Sequence, residues 1–202
     1  MNARMDPLNL IISGIGGQGN ILLSRMIGRI LTRKAYLVNI GETFGAAQRG
    51  GAVYSSMRVS KTVSHGPLIP DGRAHLVLSL EPLEALRMLT LFGNPEVKTV
   101  TNTEPIYPVG VLSKRLQYPD LERLKKAVEG LSGASWFVDA TQLALGLEAP
   151  IVANIVMLGA LAAVGEIPMT EEDVEEEIRN SFPTPKVDLN LSAMRAGLEA
   201  VS

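Results

Sequence analysis

The stretch LNLIISGIGGQGNILL, residues 8–23, joins a short apolar run, a glycine-rich turn and the start of an amphipathic segment. Residues 8–13 have the composition of a buried strand, and residues 20–31 carry apolar side chains at helical spacing. A second apolar strand is predicted at residues 36–40. The order strand, turn, helix, strand predicts a βαβ unit, and a parallel sheet follows from it.

The remaining pattern extends this α/β arrangement to the end of the chain. Further strands are predicted at residues 52–58, 74–80, 97–101 and 136–139, and helices at 82–91, 119–131, 151–164, 170–180 and 187–201. Because residues 64–72 form a turn-rich segment, residues 52–72 are interpreted as a β-excursion. The predicted fold is therefore α/β: a Rossmann-like parallel or mixed sheet with helices on both faces, in a single domain spanning residues 1–202.

The composition excludes several classes of function. The chain has 202 residues and a formal net charge of −2 without clustered Lys and Arg, so we expect no nucleic-acid partner. It contains no Cys, which excludes disulfides, thiolate-ligated iron–sulfur clusters and Cys nucleophiles. Two His are too few for a His-rich metal site. No uncharged apolar stretch reaches about 18 residues, so we expect no membrane span and a cytoplasmic location.

The glycine-rich turn satisfies the pattern G-x-G-x-x-G between a predicted strand and a predicted helix, the context that gives the pattern meaning. Its glycines allow a ligand to approach the backbone, and the helix start supplies free N–H groups that favour an anion. A dinucleotide, another phosphate-bearing ligand, and a tight turn without any ligand all stay open. The candidate ligand-binding residues here are Gly14, Gly16, Gly17, Gln18, Gly19 and Asn20.

A second loop with four glycines, GETFGAAQRGG, follows the second strand at residues 41–51. Loops at the carboxyl ends of neighbouring strands meet over one crevice, so we expect this loop beside the glycine-rich turn. Arg49 can bind a phosphate or carboxylate bidentately, and Glu42 is the acid nearest the position of a ribose ligand. A plain surface loop or a protein contact through Phe44 and Arg49 are the alternatives. The candidate residues are Glu42, Gln48, Arg49, Gly50 and Gly51.

Few other residues suggest chemistry. Asn154 lies inside an apolar helix and needs partners if it is buried, so it either holds a loop or ligand or is an ordinary core Asn. His65 and His75 have no nucleophile beside them in the sequence, and Asp139 suits either ligand contact or helix capping. No residues form a self-sufficient catalytic set or a metal site. A ligand-binding crevice without catalytic groups is typical of one subunit of a larger enzyme.

Four segments of the chain resemble the gamma-type subunit of 2-oxoacid:ferredoxin oxidoreductases. They are GIGGQGN, GETFGAAQRGGAVYSSMRV, GPLIPDGRAHLVLSLEPLEALR and APIVANIVMLGAL, in this order over most of the sequence. The PLIPDG…EPLEALR portion and NTEPIYPV are most similar to the indolepyruvate branch of the family. The resemblance extends to the glycine-rich turn, the second loop and Asn154.

The resemblance implies a role in a complex. The complex would oxidatively decarboxylate a 2-oxoacid to an acyl-CoA and pass electrons to ferredoxin, with thiamine diphosphate and iron–sulfur clusters on a large partner subunit. This chain would bind no cofactor alone but would shape the region of the 2-oxoacid substrate or coenzyme A. One departure is residues 44–47, Phe-Gly-Ala-Ala, where His-Gly-Met-Ala is expected. The rival hypotheses are a free-standing NAD(P)- or flavin-dependent oxidoreductase and a non-catalytic regulatory module.

Overall fold

A computed structural model describes residues 6–42 and 50–201. A six-stranded sheet with the strand order β2-β3-β1-β4-β5-β6 forms its centre. The strands are β1 (Leu8–Ile15), β2 (Leu37–Glu42), β3 (Ala52–Ser60), β4 (Leu76–Ser79), β5 (Lys98–Asn102) and β6 (Ala134–Val138).

Helices cover both faces of the sheet, as expected from the α/β pattern. They are α1 (Asn20–Arg33), α2 (Pro82–Phe92), α3 (Val109–Leu112), α4 (Leu121–Gly130), α5 (Ala140–Gly146), α6 (Ala153–Val164), α7 (Glu171–Ser181) and α8 (Thr184–Glu199). A 3-10 turn, Pro150–Val152, leads directly into α6.

The sheet is mixed, and its first half differs from a simple βαβ unit. β1, β4, β5 and β6 run parallel, whereas β3 lies between β1 and β2 and is antiparallel to both. β1 and β2 are parallel to each other but do not pair directly, because the chain returns after β2 and inserts β3 between them. The predicted β-excursion is thus an interior strand of the sheet.

Two apolar cores occupy the two faces because side chains alternate along β1. Leu10 and Ile12 contact the large core that includes α1, α5, α6, α7 and α8, whereas Ile11 contacts the smaller core formed with α2 and α4. Consequently the helix after β1 and the helix after β4 lie on opposite faces. The carboxyl ends of β1 and β4 therefore form the topological switch point, where α/β sheets bind ligands.

α6 is apolar all round and buried, as its sequence predicts. It packs closely against α8 because glycines face backbone at the crossing: a Cβ on Gly159 would lie 2.0 Å from the carbonyl oxygen of Met194, and one on Gly197 would lie 1.9 Å from that of Val156. This contact fixes the start of α6 beside the switch point. α5 was not predicted, because its seven residues are too few for a clear helical pattern.

Candidate functional site

The glycine-rich turn is a rigid structure at the carboxyl end of β1. Gly17 and Gly19 have φ values of +108° and +95°, which other residues rarely adopt. The side chain of Gln18 bridges the turn: its Oε1 accepts a hydrogen bond from the Ile15 N–H (2.7 Å), and its Nε2 donates to the Leu80 carbonyl (2.8 Å). The turn is therefore attached to the end of β4.

The turn leads into an open helix start. Gly19 is the N-cap of α1, no described side chain caps this helix, and its first turn contains no acid. The starts of α2, α4 and α7 are capped by Glu81, Asp120 and Thr170, whereas those of α5, α6 and α8 also lack a side-chain cap among the described residues. Among the described residues nothing occupies the first N–H groups of α1, and the helix dipole favours an anion there.

The second loop meets the glycine-rich turn at the same edge of the sheet, as predicted. Gly16 donates its N–H to the Gly51 carbonyl (2.8 Å) and accepts the Gly50 N–H on its own carbonyl (3.1 Å). The predictions for Gln48 and Arg49, and the departure at residues 44–47, lie outside the described residues.

Glu42 ends β2 and faces α1. Its carboxylate accepts a hydrogen bond from Ser24 Oγ (3.3 Å) and lies 3.8 Å from Arg25 Nε. In a dinucleotide site the acid lies on the strand next to the one that ends in the glycine-rich turn. Glu42 does not, because β3 separates β2 from β1. This arrangement gives the NAD hypothesis no support.

A cleft, here called the turn cleft, opens between the glycine-rich turn and β3. Asn20 lies in its wall, is almost fully buried and donates to the Val53 carbonyl (3.2 Å), while its Oδ1 has no partner among the described residues. The described lining residues are Ile15, Gly16, Gly17, Gly19, Asn20, Ile21, Glu42, Val53, Tyr54 and Ser55.

A second depression, here called the switch-point crevice, lies on the other side of the turn, over the ends of β4 and β5. Asn154 lies in it, so close to Gly19 that a Cβ on the glycine would be 2.2 Å from Asn154 Nδ2. Asn154 thus joins the start of α6 to the turn, as its sequence position suggested. The described lining residues are Gly17, Gln18, Leu80, Asn102, Ile106, Pro150, Ile151, Ala153 and Asn154.

Sequence reasoning missed Asn102, which organises this edge. Its Nδ2 donates to the Leu80 carbonyl and to Thr141 Oγ1 (both 3.1 Å), and its Oδ1 accepts from the Ala140 N–H (3.1 Å). It therefore links the ends of β4, β5 and β6. The one available signal was a polar residue directly after an apolar strand.

Glu81, which directly precedes α2, anchors the connection between β5 and α4. It is buried, caps α2 through the Glu84 N–H (2.9 Å), and accepts hydrogen bonds from the Tyr118 hydroxyl and the Ile106 N–H (3.4 Å). Burial and this carboxylate raise the pKa of the Tyr118 phenol well above its usual value, and burial raises the pKa of the Glu84 carboxyl.

The other sequence candidates lie away from the turn cleft. His75 directly precedes β4, at the opposite edge of the sheet. Its Nδ1 accepts a hydrogen bond from the Asn9 N–H (2.9 Å), and burial lowers its pKa. Asp139 is the N-cap residue of α5 but forms no capping hydrogen bond with described residues. Within residues 6–42 and 50–201 no three His, Asp or Glu side chains form a potential metal site. No helix in the described ranges is long and apolar enough to cross a membrane.

Known proteins resemble this chain in both sequence and fold. The family described as pyruvate ferredoxin/flavodoxin oxidoreductase matches residues 9–200. Indolepyruvate oxidoreductase subunit IorB of Thermococcus kodakarensis is 36% identical over 197 residues, covering 97% of this chain and 96% of the relative. The subunit of the same name from Pyrococcus horikoshii has the same identity and coverage.

Solved structures agree on the fold. Pyruvate oxidoreductase subunit PORC from Thermotoga maritima superposes with a TM-score of 0.69 at 23% identity, covering 96% of this chain and 97% of that one. The 2-oxoglutarate:ferredoxin oxidoreductase from Magnetococcus marinus, solved with 2-oxoglutarate, coenzyme A and succinyl-CoA bound, has a TM-score of 0.74 at 20% identity over 97% of this chain and 31% of that chain. The resemblance drawn from the four sequence segments is confirmed, and the chain belongs to the pyruvate ferredoxin/flavodoxin oxidoreductase family.

Proposed function

We propose that this chain is the small subunit of an indolepyruvate-type 2-oxoacid:ferredoxin oxidoreductase. The complex decarboxylates a 2-oxoacid, with aryl pyruvates favoured, forms an acyl-CoA and passes the electrons to ferredoxin. The chain acts as one cytoplasmic domain, residues 1–202, and is inactive alone. Its 36% identity to IorB subunits over nearly the whole length of both proteins supports this proposal.

The observation that carries the proposal is the chemistry of the turn cleft. The open start of α1 and the glycines of the turn present backbone N–H groups to an approaching anion. The described lining of the cleft includes Glu42, Tyr54 and Ser55 but no His, Lys or Cys. An anion-binding cleft of this kind suits a subunit whose reactive cofactors belong to another chain.

The residues of this chain do not fit the cofactors of the reaction. Iron–sulfur clusters are held mainly by Cys thiolates, and the sequence has no Cys. Thiamine diphosphate carries a diphosphate that enzymes hold through Mg²⁺ and carboxylates, and the described residues include no group of three potential ligands. We therefore assign both groups to a larger partner subunit.

Coenzyme A is the ligand that the turn cleft suits best, because its phosphates match the free N–H groups of α1. In this proposal Gly14, Gly17 and Gly19 give the turn its shape, and Asn154 holds it from the side of α6. Arg49, beyond the described residues, adds a cation from the second loop. The residues that we assign to ligand binding are Gly14, Gly16, Gly17, Gln18, Gly19, Asn20, Glu42, Gln48, Arg49, Gly50, Gly51 and Asn154.

The test changes the charge at the start of α1. Ile21 lies in the first turn of α1 and lines the cleft, so Ile21→Glu places a carboxylate where a phosphate would bind, and Ile21→Gln is the neutral control of equal shape. An acid in this turn does not oppose the helix dipole, so the fold should tolerate it. In the reconstituted complex we expect the KM for coenzyme A to be roughly fivefold to tenfold higher for Ile21→Glu than for Ile21→Gln. This ratio corresponds to about 1 kcal/mol of charge repulsion between the carboxylate and the phosphate.

Equal KM values for the two variants would show that no anionic group binds at the start of α1. Arg49→Ala is the companion variant for the loop, and it should raise the same KM. Unchanged kinetic parameters for Arg49→Ala with intact assembly would remove Arg49 from the site while leaving the role of α1 to the Ile21 pair.

A further inference from the structure

A polar pocket lies at the end of the sheet opposite the turn cleft, where β1, β4 and β5 begin. It is here called the amino-end pocket, and none of its described lining residues belongs to the set assigned to coenzyme A. Five of the lining residues can ionise: Asp6, Arg58, Arg73, His75 and Glu96. The pocket therefore has a recognition chemistry of its own.

The full charges in this pocket are unpaired. Two of them are the guanidinium groups of Arg58 and Arg73, and two are the carboxylates of Asp6 and Glu96. None of these four side chains forms an ion pair with a described residue. Opposite charges that line one cavity without meeting leave room for a ligand that carries both signs, because each charge then gains a partner.

Arg58 is held in place by neutral groups. Its Nε donates to Asn9 Oδ1 (3.1 Å), and its Nη1 donates to the carbonyls of Gly66 (3.3 Å) and Leu68 (3.4 Å). A guanidinium carries five N–H donors, so Nη2 still has donors to offer a ligand. Because these contacts already order the side chain, binding an anion costs it little conformational entropy.

His75 and Arg73 add further donors. The Nδ1 of His75 accepts the Asn9 N–H (2.9 Å), which places the proton of the neutral ring on Nε2. Burial lowers the pKa of His75, although the charge of Glu96 opposes this shift, so the ring is neutral near pH 7. Neither Nε2 nor the exposed guanidinium of Arg73 has a hydrogen-bond partner among the described residues. A carboxylate, which only accepts hydrogen bonds, matches these donors.

The remainder of the lining suits a cation and an apolar group. The carboxylates of Asp6 and Glu96 belong to exposed residues and can accept hydrogen bonds from an ammonium group. Three proline rings also line the pocket, those of Pro7, Pro70 and Pro95. Their rings are rigid apolar surfaces against which an apolar side chain can pack. Donors, acceptors and an apolar surface thus surround one pocket.

We propose that the amino-end pocket binds a free α-amino acid with an apolar side chain. The carboxylate of the amino acid pairs with Arg58 and Arg73 and accepts a hydrogen bond from His75. Its ammonium group pairs with Asp6 and Glu96, and its side chain packs on the proline rings. The pocket and the turn cleft lie at opposite ends of the sheet, so the amino acid binds independently of coenzyme A.

The test measures binding to the purified full chain at pH 7 by isothermal titration calorimetry, with L-phenylalanine as the probe. Two analogues separate the charges, because 3-phenylpropanoate lacks the ammonium group and 2-phenylethylamine lacks the carboxylate. We expect L-phenylalanine to bind and each analogue to bind about tenfold more weakly. No binding of L-phenylalanine at roughly 10 mM would overturn the proposal.

Two variants locate the site. Arg73→Gln and Glu96→Gln each remove one charge at an exposed position, where the fold should tolerate the change. Arg123→Gln is the matched control, since Arg123 is an exposed arginine of α4 outside the pocket. We expect Arg73→Gln and Glu96→Gln to raise the dissociation constant of L-phenylalanine about tenfold and the control to change it less than about twofold.

The other outcomes each overturn part or all of the proposal. Equal affinity of Arg73→Gln and the wild type for L-phenylalanine would place the ligand outside this pocket. Equal affinity of the wild type for 3-phenylpropanoate and L-phenylalanine would overturn the assignment of an amino acid, because the pocket would then bind anions without an ammonium group. Neither measurement requires the larger subunit, so both are independent of the proposed function.

Discussion

Substitution of Gly19 by Ala tests how the glycine-rich turn and α6 are coupled. A Cβ at this position would lie 2.2 Å from Asn154 Nδ2, so the Asn154 side chain would have to move. The backbone at Gly19 also has a φ of +95°, which Ala rarely adopts. Gly17→Ala is the matched control, because Gly17 has a φ of +108° in the same turn but nothing within 4 Å of an added Cβ.

The expected magnitudes follow from these two terms. A positive φ costs Ala roughly 1–2 kcal/mol, and this penalty applies to both variants. Displacing a tightly packed side chain adds roughly 1–3 kcal/mol, and this applies to Gly19→Ala only. We therefore expect Gly17→Ala to lower the free energy of unfolding by about 1–2 kcal/mol and Gly19→Ala by about 2–5 kcal/mol.

Urea unfolding measures both variants, provided that the slope of the transition is unchanged. The double variant Gly19→Ala/Asn154→Ala isolates the contact: relative to Asn154→Ala alone, it should cost only the backbone term of about 1–2 kcal/mol. The view that Asn154 braces the turn would be refuted if Gly17→Ala and Gly19→Ala lowered the free energy of unfolding equally. It would also be refuted if Gly19→Ala cost as much in the Asn154→Ala background as in the wild type.

Two further predictions concern stability. Burial alone would raise the pKa of the Glu177 carboxyl, but hydrogen bonds from a serine and from Arg33 and Arg29 hold it below its usual value. Glu177→Gln should therefore lower the free energy of unfolding, measured in urea near pH 7, by roughly 1–3 kcal/mol. The control Glu176→Gln, at an exposed position, should lower it by about 0.5 kcal/mol or less. The stability advantage of the wild type over Glu177→Gln should vanish as the pH falls through the pKa of Glu177 in the folded state. Burial lowers the pKa of His75 below 6.5, so the folded state binds fewer protons than the unfolded state and stability falls as the pH drops below that value. His75→Asn, which keeps a hydrogen-bond acceptor but cannot titrate, should flatten this part of the pH–stability profile, and an unchanged profile would contradict the assignment.

The glycine-rich turn and the start of α1 could be predicted from the sequence because their signals are local. An apolar run, a fixed glycine spacing and a helical apolar pattern follow each other within residues 8–31. Asn154 was also recognisable, because one amide inside an apolar helix contrasts with its neighbours. In both cases the pattern and the physical reason lie in the same short segment.

The position of β3 and the roles of Asn102 and Glu81 could not be predicted in this way. A strand's own sequence does not state its partners, so nothing in residues 52–60 distinguished an interior antiparallel strand from an excursion. Asn102 and Glu81 act through groups more than 20 residues away, on Leu80, Ala140 and Tyr118. Such contacts depend on tertiary structure and leave no periodic pattern in the sequence.

The most direct test of the account is an activity measurement on separated and recombined subunits. Reduction of ferredoxin is followed with indolepyruvate and coenzyme A for the purified chain, for the larger subunit, and for their equimolar mixture. We expect no turnover from the chain alone and full turnover only from the mixture, with the chain lowering the KM for coenzyme A. Turnover of a 2-oxoacid by the isolated chain, or identical kinetics of the larger subunit with and without it, would contradict the account.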